Sequence, residues 1–365
     1  MDTDVTYRND WQLLVGFLPA DIENLAVRTG ALVRRREIRT ATDLVRLALV
    51  YGDDDASLRG VSAWAKECGL ASLSDQAVLK RLRGSVALLR ELCSRLLSDY
   101  APKRAKADLR FVLVDSTTIC RRRSKGTDFR VHVNYVAGQC AFAGMELTRA
   151  EGGEGLDRLS CGLGDVLVAD QGYPSRARLA EVRSREAHFI VRFHPANLPL
   201  QDEFGTRINP LELCRGLEIG QTLDLPVQSV PTKDTHAVPG RLVVVRKTDE
   251  AANRQLERSR KNSGKEPSPE TQLAARYILI FASLNSDQAD THTILDAYRL
   301  RWQVEMAFKR TKGIVSLGET AAKDLDLCEA KILAKLLLLL LVQAYETDFF
   351  PWGYPLPRFE PLAKA

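Results

Sequence analysis

Two apolar runs end on an acid in the same way. Phe111-Val112-Leu113-Val114 leads into Asp115, and Val166-Leu167-Val168-Ala169 leads into Asp170. A carboxylate at the end of a buried strand loses hydration, which is costly unless a partner compensates it. If the two strands are parallel neighbours, their ~4.8 Å spacing brings both acids to one site. Two such groups repel unless they share a proton or a cation, and shared hard-oxygen ligation suits Mg²⁺. Each aspartate can equally cap the element that follows it, because Asp115-Ser116-Thr117 and Asp170-Gln171-Gly172 both resemble turns. The pair by itself does not decide between these readings.

A third acid lies far downstream. The periodicity predicts a long helix over roughly 287–312. At ~100° per residue, an idealised helix puts Tyr298, Arg301, Glu305 and Lys312 inside an arc of about 60°, flanked by Trp302 and Lys309. Ala297, Leu300, Val304 and Phe308 gather on a separate arc suited to burial. One stripe therefore packs while its neighbour presents a lone acid among bases and aromatics. That surface suits a polyphosphate backbone, with the acid reserved for a metal. Arg121, Arg122, Arg123 and Lys125 follow the first acidic strand closely, as a DNA contact or as a solvated loop. Arg254, Arg258, Arg260 and Lys261 are a weaker candidate for the same role.

The elements that must position these groups change texture along the chain. Residues 1–100 read as an all-helical domain, with apolar positions at helical spacing from Val78 to Leu96. Within it, a short helix ending at Cys68-Gly69 precedes one starting at Ser74-Asp75 that carries Lys80, Arg81 and Arg83. This is compatible with a helix-turn-helix that reads DNA through its second helix. Residues 98–109 read as a linker. Strands follow over Phe129 to Val136 and Ala141 to Leu147, then the second acidic strand, a helix to Ser184 and a strand from His188 to Phe193. This gives a first α/β segment over 101–193 and a β-rich insertion over 194–275. A second segment of the same domain over 276–346 holds helices near 287–312 and 321–346, and 347–365 forms a tail.

Composition bounds the alternatives. The chain has 365 residues, 45% hydrophobic and 27% charged, which is globular and not disordered. Its net charge of +5 is too mild to prove a polyanionic partner. The longest apolar run, Leu336 to Val342, is far short of the ~20 residues that span a bilayer, and no secretory signal is read, so a cytoplasmic protein is expected. Seven scattered cysteines and five scattered histidines argue against a zinc site or a disulfide framework.

Taken together, Tyr298-x2-Arg301-x3-Glu305-x6-Lys312 resembles the Y-R-E-K signature of DDE transposases from bacterial insertion sequences, in the insertion-sequence-four family. Leu113 to Thr118 and Asp165 to Tyr173 look like the strands that carry that family's two aspartates. The resemblance runs from about Glu37 to Leu341. It implies an α/β fold with a ribonuclease-H-like catalytic domain, in which Asp115, Asp170 and Glu305 hold two Mg²⁺ or Mn²⁺ ions. It further implies that Tyr298, Arg301 and Lys312 hold phosphates beside the cleavage point. Trp302 then stacks on an unstacked base or packs against an adjacent helix. The expected activity is a transposase that binds terminal inverted repeats, hydrolyses phosphodiester bonds at the ends and joins the 3′-hydroxyls to target DNA. A homodimer is expected in the complex that holds two ends, associated with the nucleoid when bound. A catalytically silent DNA-binding derivative and another ribonuclease-H-like nuclease are the alternatives.

Overall fold

β-Branched and apolar runs form the strands, and capped amphipathic segments form the helices between them. The computed structural model describes residues 11–100, 109–124, 126–137, 139–320, 322 and 324–349. In chain order come α1 (Ile22–Arg28), α2 (Ala41–Gly52), α3 (Leu58–Glu67), α4 (Asp75–Tyr100), β1 (Arg110–Arg121), β2 (Phe129–Val136), β3 (Ala141–Arg149) and β4 (Asp165–Ala169). There follow α5 (Arg176–Ser184), β5 (His188–Arg192), β6 (Leu200–Gln201), β7 (Arg207–Ile208), α6 (Pro210–Leu213), β8 (Thr222–Ser229) and β9 (Pro239–Arg246). The last elements are α7 (Asp249–Ser263), α8 (Pro269–Ala274), β10 (Tyr277–Ala282), α9 (Thr291–Arg299), α10 (Trp302–Val315), β11 (Glu319–Thr320) and α11 (Leu325–Phe349).

The described residues fall into two compact units. One, here the sheet unit, draws on Arg104–Asp115 and Gly153–Val304; the other, the helical unit, draws on Met1–Lys103, Ser116–Gly152 and Glu305–Ala365. In the sheet unit, β1 pairs β4 and β4 pairs β5, both in parallel. Beyond β5 the sheet turns antiparallel, through β10, β9, β8, β6 and β7. Parallel strands covered on both faces read as continuous apolar runs, which is why β4 is buried along its whole length. Phe189 and Phe281, with ring centroids 5.3 Å apart, sit in the core formed against β1, β4, β5, β9 and β10. The insertion strands β8 and β9 extend this same sheet.

In the helical unit, α4 and α2 pack on α11, and α4 also meets β3. Leu336, Leu337, Leu340 and Leu341 of α11 are buried in this core. Polar groups stitch it in place. Arg90 Nε reaches Glu329 at 3.0 Å, Gln343 bonds both backbone groups of Phe142, and Lys335 donates to Asp54 and to the Ser316 carbonyl. β2 and β3 form an antiparallel pair, and β11 pairs in parallel with the Cys120–Arg121 end of β1. The helices before residue 100 thus share a core with α11. No helix among the described residues is long and apolar enough to cross a membrane.

Several elements differ from the expectations. β1 does not stop at Asp115 but continues to Arg121, because Ser116-Thr117-Thr118-Ile119 are compatible with a strand and its far end finds β11 as a partner. The helix expected over 287–312 is two helices, α9 and α10, separated at Leu300-Arg301. There, three short-range bonds (Arg301 N to Tyr298 O, Gln303 N to Leu300 O, Val304 N to Arg301 O) tighten the turn to i→i+3 spacing. The single-helix arc that joined Tyr298 and Arg301 to Glu305 therefore does not hold. α11 starts at Leu325, after β11, and not near 321. α7 is an additional helix inside the insertion, capped by the Thr248 hydroxyl at its start and by left-handed Gly264 at its end. The expected linker at 98–109 and the tail beyond 349 lie mostly outside the described residues.

Gly240 in β9 marks a close approach. A Cβ added there would lie 2.5 Å from the Ala282 carbonyl and 2.6 Å from the Phe281 ring. Gly240→Ala is expected to cost about 1–3 kcal/mol by overpacking. Urea unfolding checks this, and a midpoint equal to that of the parent protein would contradict it.

Candidate active site

The register of β1 against β4 places the first two acids. Arg110 faces Asp165 and Leu113 faces Val168. Asp115 and Asp170 follow, each two residues past that last pair, and so are level on adjacent parallel strands. The register is pinned at its start, where Arg110 Nε donates to Asp165 Oδ1 at 2.7 Å. The buried Asp165 also accepts from the Gly162 N–H at 2.9 Å. Both candidate acids are half-buried, just past the carboxyl end of the parallel β1–β4 pairing. Open α/β sheets gather ligands outside that end.

Asp170 has two partners from elements beside it. The Tyr298 hydroxyl donates to Asp170 Oδ1 at 3.1 Å, and Arg192 Nη1 stands 3.6 Å from the same oxygen. Tyr298 is delivered by α9, which lays Ile294, Leu295 and Ala297 against β4, β5 and β9 and is capped by Asp290. Burial, together with the Asp170 charge, pushes the Tyr298 hydroxyl up to about 12, while Arg192 and Arg301 pull the other way. The phenol therefore stays protonated and donates throughout the neutral range. The Arg301 guanidinium lies 5.9 Å from the centre of the Tyr298 ring, a cation–π arrangement.

Sequence reasoning misses Arg192, although a signal exists. It ends β5, inside the strand that the pattern places over 188–193, and Val191 faces Ala169 in β4. One step further puts Arg192 beside Asp170.

The remaining candidates have varied surroundings. Glu305 lies in the first turn of α10, exposed, and is assigned to the helical unit. Lys309 and Lys312 are exposed on the same helix, at positions that share the Glu305 face, whereas Val304, Ala307 and Phe308 are buried. Trp302 is 52% exposed. Arg121 is tied to Asp128 by a 2.7 Å ion pair, and its own N–H bonds the same carboxylate. Partial burial opposes it, but those bonds and one from the Ser124 hydroxyl hold the Asp128 carboxyl below its usual range. Arg122 and Arg123 are exposed, and Lys125 lies outside the described residues. On α4, Lys80 is exposed, Arg81 donates to the Arg34 carbonyl at 2.9 Å, and Arg83 is engaged by Asp324.

Hard carboxylate oxygens level on neighbouring strands are suitable donors for a divalent cation. Among the described residues, no group of three or more His, Cys, Asp or Glu side chains is placed to hold a metal ion. The donor chemistry thus fits at Asp115 and Asp170.

The Tyr298 environment has a measurable sign. An unfolded tyrosine ionises near ~10, so the folded state, ionising only at about 12, binds more protons between those values. This contribution to stability is complete below pH ~10 and is lost as pH rises towards 12. Tyr298→Phe should lack that loss. Urea unfolding of both proteins at neutral pH and near pH 11 tests it, and parallel pH dependence would contradict it.

Residues 106–341 match the family described as the transposase DDE domain. The chain is 35% identical over 350 residues to the putative transposase InsL for insertion sequence element IS186A of Escherichia coli (strain K12), covering 93% of this chain and 94% of that protein. It is 34% identical over 351 residues to the transposase for insertion sequence element IS421 of Escherichia coli, with the same coverage. A solved structure, the piggyBac transposase synaptic complex with hairpin DNA, aligns over 93% of this chain and 76% of that one, with 10% identity and a TM-score of 0.48. The domain match and the relatives show the family, and the chain belongs to the DDE transposases of insertion sequences.

Proposed function

We propose that this transposase binds the terminal inverted repeats of its element, cleaves phosphodiester bonds at the ends and joins the freed 3′-hydroxyls to target DNA. The observation that carries the proposal is the level placement of Asp115 and Asp170 on adjacent parallel strands. A DDE transposase domain implies dependence on divalent metal. We take the ions to be two Mg²⁺ or Mn²⁺, with Asp115, Asp170 and, from the signature spacing, Glu305 as ligands in a ribonuclease-H-like core. When bound, such ions make hydroxide or a 3′-hydroxyl a better nucleophile and stabilise the departing oxygen of a poorly electrophilic phosphodiester.

The protein's own groups have separable roles in this reading. Tyr298, held protonated, fixes Asp170 Oδ1 and leaves the other carboxylate oxygen for ligation. Arg192 offsets the negative charge at Asp170. Arg301, Lys309 and Lys312 hold the phosphates near the cut, joined by Arg122, Arg123 and Lys125. Trp302, exposed, offers a face to an unstacked base. Lys80 and Arg81, early in α4, are assigned to end recognition by residues 1–100, together with Arg83 where its pair with Asp324 opens. Two ends must be joined in one event, so a homodimer is the working assembly, acting on the bacterial nucleoid in the cytoplasm.

Asp115→Asn is expected to retain duplex binding and to lose cleavage in Mg²⁺ by about a thousandfold or more, since several kcal/mol of stabilisation depend on each ligand. Tyr298→Phe should keep binding and lose about ten- to a hundredfold in cleavage, the worth of a hydrogen bond to a charged group. Labelled end-repeat DNA with nick mapping measures both. Full cleavage by Asp115→Asn would remove that residue from the mechanism.

A further inference from the structure

Next to Asp170, the sheet unit gathers positive charge without enough anion to match it. Arg192 Nη1 faces Asp170 at 3.6 Å, and its Nη2 lies 3.4 Å from Gln255 Oε1. The same amide oxygen accepts from Lys247 Nζ at 2.6 Å. One neutral oxygen therefore bridges an ammonium and a guanidinium, both half-buried. Among the described residues, no carboxylate stands within ion-pair distance of Lys247. The neighbouring Arg246 is buried and already engaged with Asp249 at 2.7 Å, its ring-face contact being Tyr277.

Like charges held together away from bulk water repel, and the protein does not supply the compensating anion. Consistent with this, burial first, then the Arg192 and Arg246 charges, bring the Lys247 ammonium down to about 8. The arrangement is also built from three elements: Arg192 ends β5, Lys247 follows β9, and Gln255 is set by α7. Capping by Thr248 and Gly264 fixes that helix, and its side toward the sheet carries Gln255 between two cations. A solvated lysine with no partner to find would not need an amide brought to it from a separate helix.

We propose that Lys247 and Arg192, aligned by Gln255, form a phosphate-binding subsite for a phosphodiester of the DNA strand that runs past Asp170. This rests on the reading of the protein as a DNA-cleaving transposase, and it gives the insertion a role in binding, since two of the subsite's three residues lie within it. Lys247 is a binding residue here, and Gln255 a positioning residue.

The test uses full-length protein and a labelled duplex carrying the element's terminal repeat, with affinity measured by anisotropy across about 50 to 200 mM salt. Lys247→Met keeps the apolar stem and removes the charge. It should weaken binding about tenfold and reduce the slope of log affinity against log salt by about 0.9, the value for one phosphate contact in duplex DNA. Its melting temperature without DNA should equal or exceed that of the parent, because a repulsion has been removed. Gln255→Glu, which places an internal anion between the cations, should lose DNA affinity in the same direction and gives a second route if Lys247→Met folds poorly. Unchanged affinity and slope in both variants, with the parent binding normally, would overturn the subsite. So would a Lys247-dependent stabilisation by inorganic phosphate with no effect on DNA binding, since the site would then take free phosphate. A parent protein that binds no duplex at all would overturn the functional reading itself, and this inference with it.

Discussion

The buried ion pair between Arg110 and Asp165 fixes the geometry on which the candidate site depends. It lies at the first paired residues of β1 and β4, with the Asp165 side chain 2% exposed. Five residues further along each strand come Asp115 and Asp170. Parallel pairing keeps whatever offset the pair sets, so a slip of one residue would separate the two acids and also turn one strand's core residues outward. The pair is a register device more than a source of net stability, because desolvation of the two charges offsets much of their attraction. Removing the Arg110 charge would leave the buried Asp165 carboxylate without this counter-charge, which is costly.

From that fixed point the surroundings of Asp170 follow. β5 continues the parallel pairing and ends on Arg192, and α9 sets its apolar face across the same strands and delivers Tyr298. Each carboxylate contact thus comes from an element held by the sheet unit's own core. Burial that keeps Tyr298 protonated keeps its O–H available to donate, so Asp170 accepts with one oxygen committed. The insertion adds to this arrangement through β9 and α7, whose Lys247 and Gln255 lie one contact beyond Arg192.

Much of this is legible in the sequence because it rests on local chemistry. Apolar runs closed by Asp115 and Asp170 mark parallel buried strands, and the spacing from Tyr298 to Lys312 marks the family. What escapes depends on partners distant in sequence. β1 runs on past Asp115, and its Cys120–Arg121 end pairs with β11, some two hundred residues later. The break at Leu300-Arg301 contains neither glycine nor proline, so no breaker residue announces it, and the apolar positions on both sides keep a helical rhythm across it. Arg192 reads as the polar end of one more strand, since its value lies in facing a residue on a neighbouring strand earlier in the chain. α7 has a detectable signal, as Thr248-Asp249-Glu250 and Gly264 are ordinary helix boundaries. The prolines and polar residues downstream of it mask that signal and make the segment look irregular.

If Asp115 and Asp170 act together as ligands of a divalent cation, the cation itself can be observed without relying on turnover. Electron paramagnetic resonance of Mn²⁺ added to the DNA-bound protein does this most directly. A bound Mn²⁺ signal that Mg²⁺ displaces is expected for the parent, lost or greatly weakened in both Asp115→Asn and Asp170→Asn. Mn²⁺ bound as tightly by the double variant as by the parent would contradict the shared site.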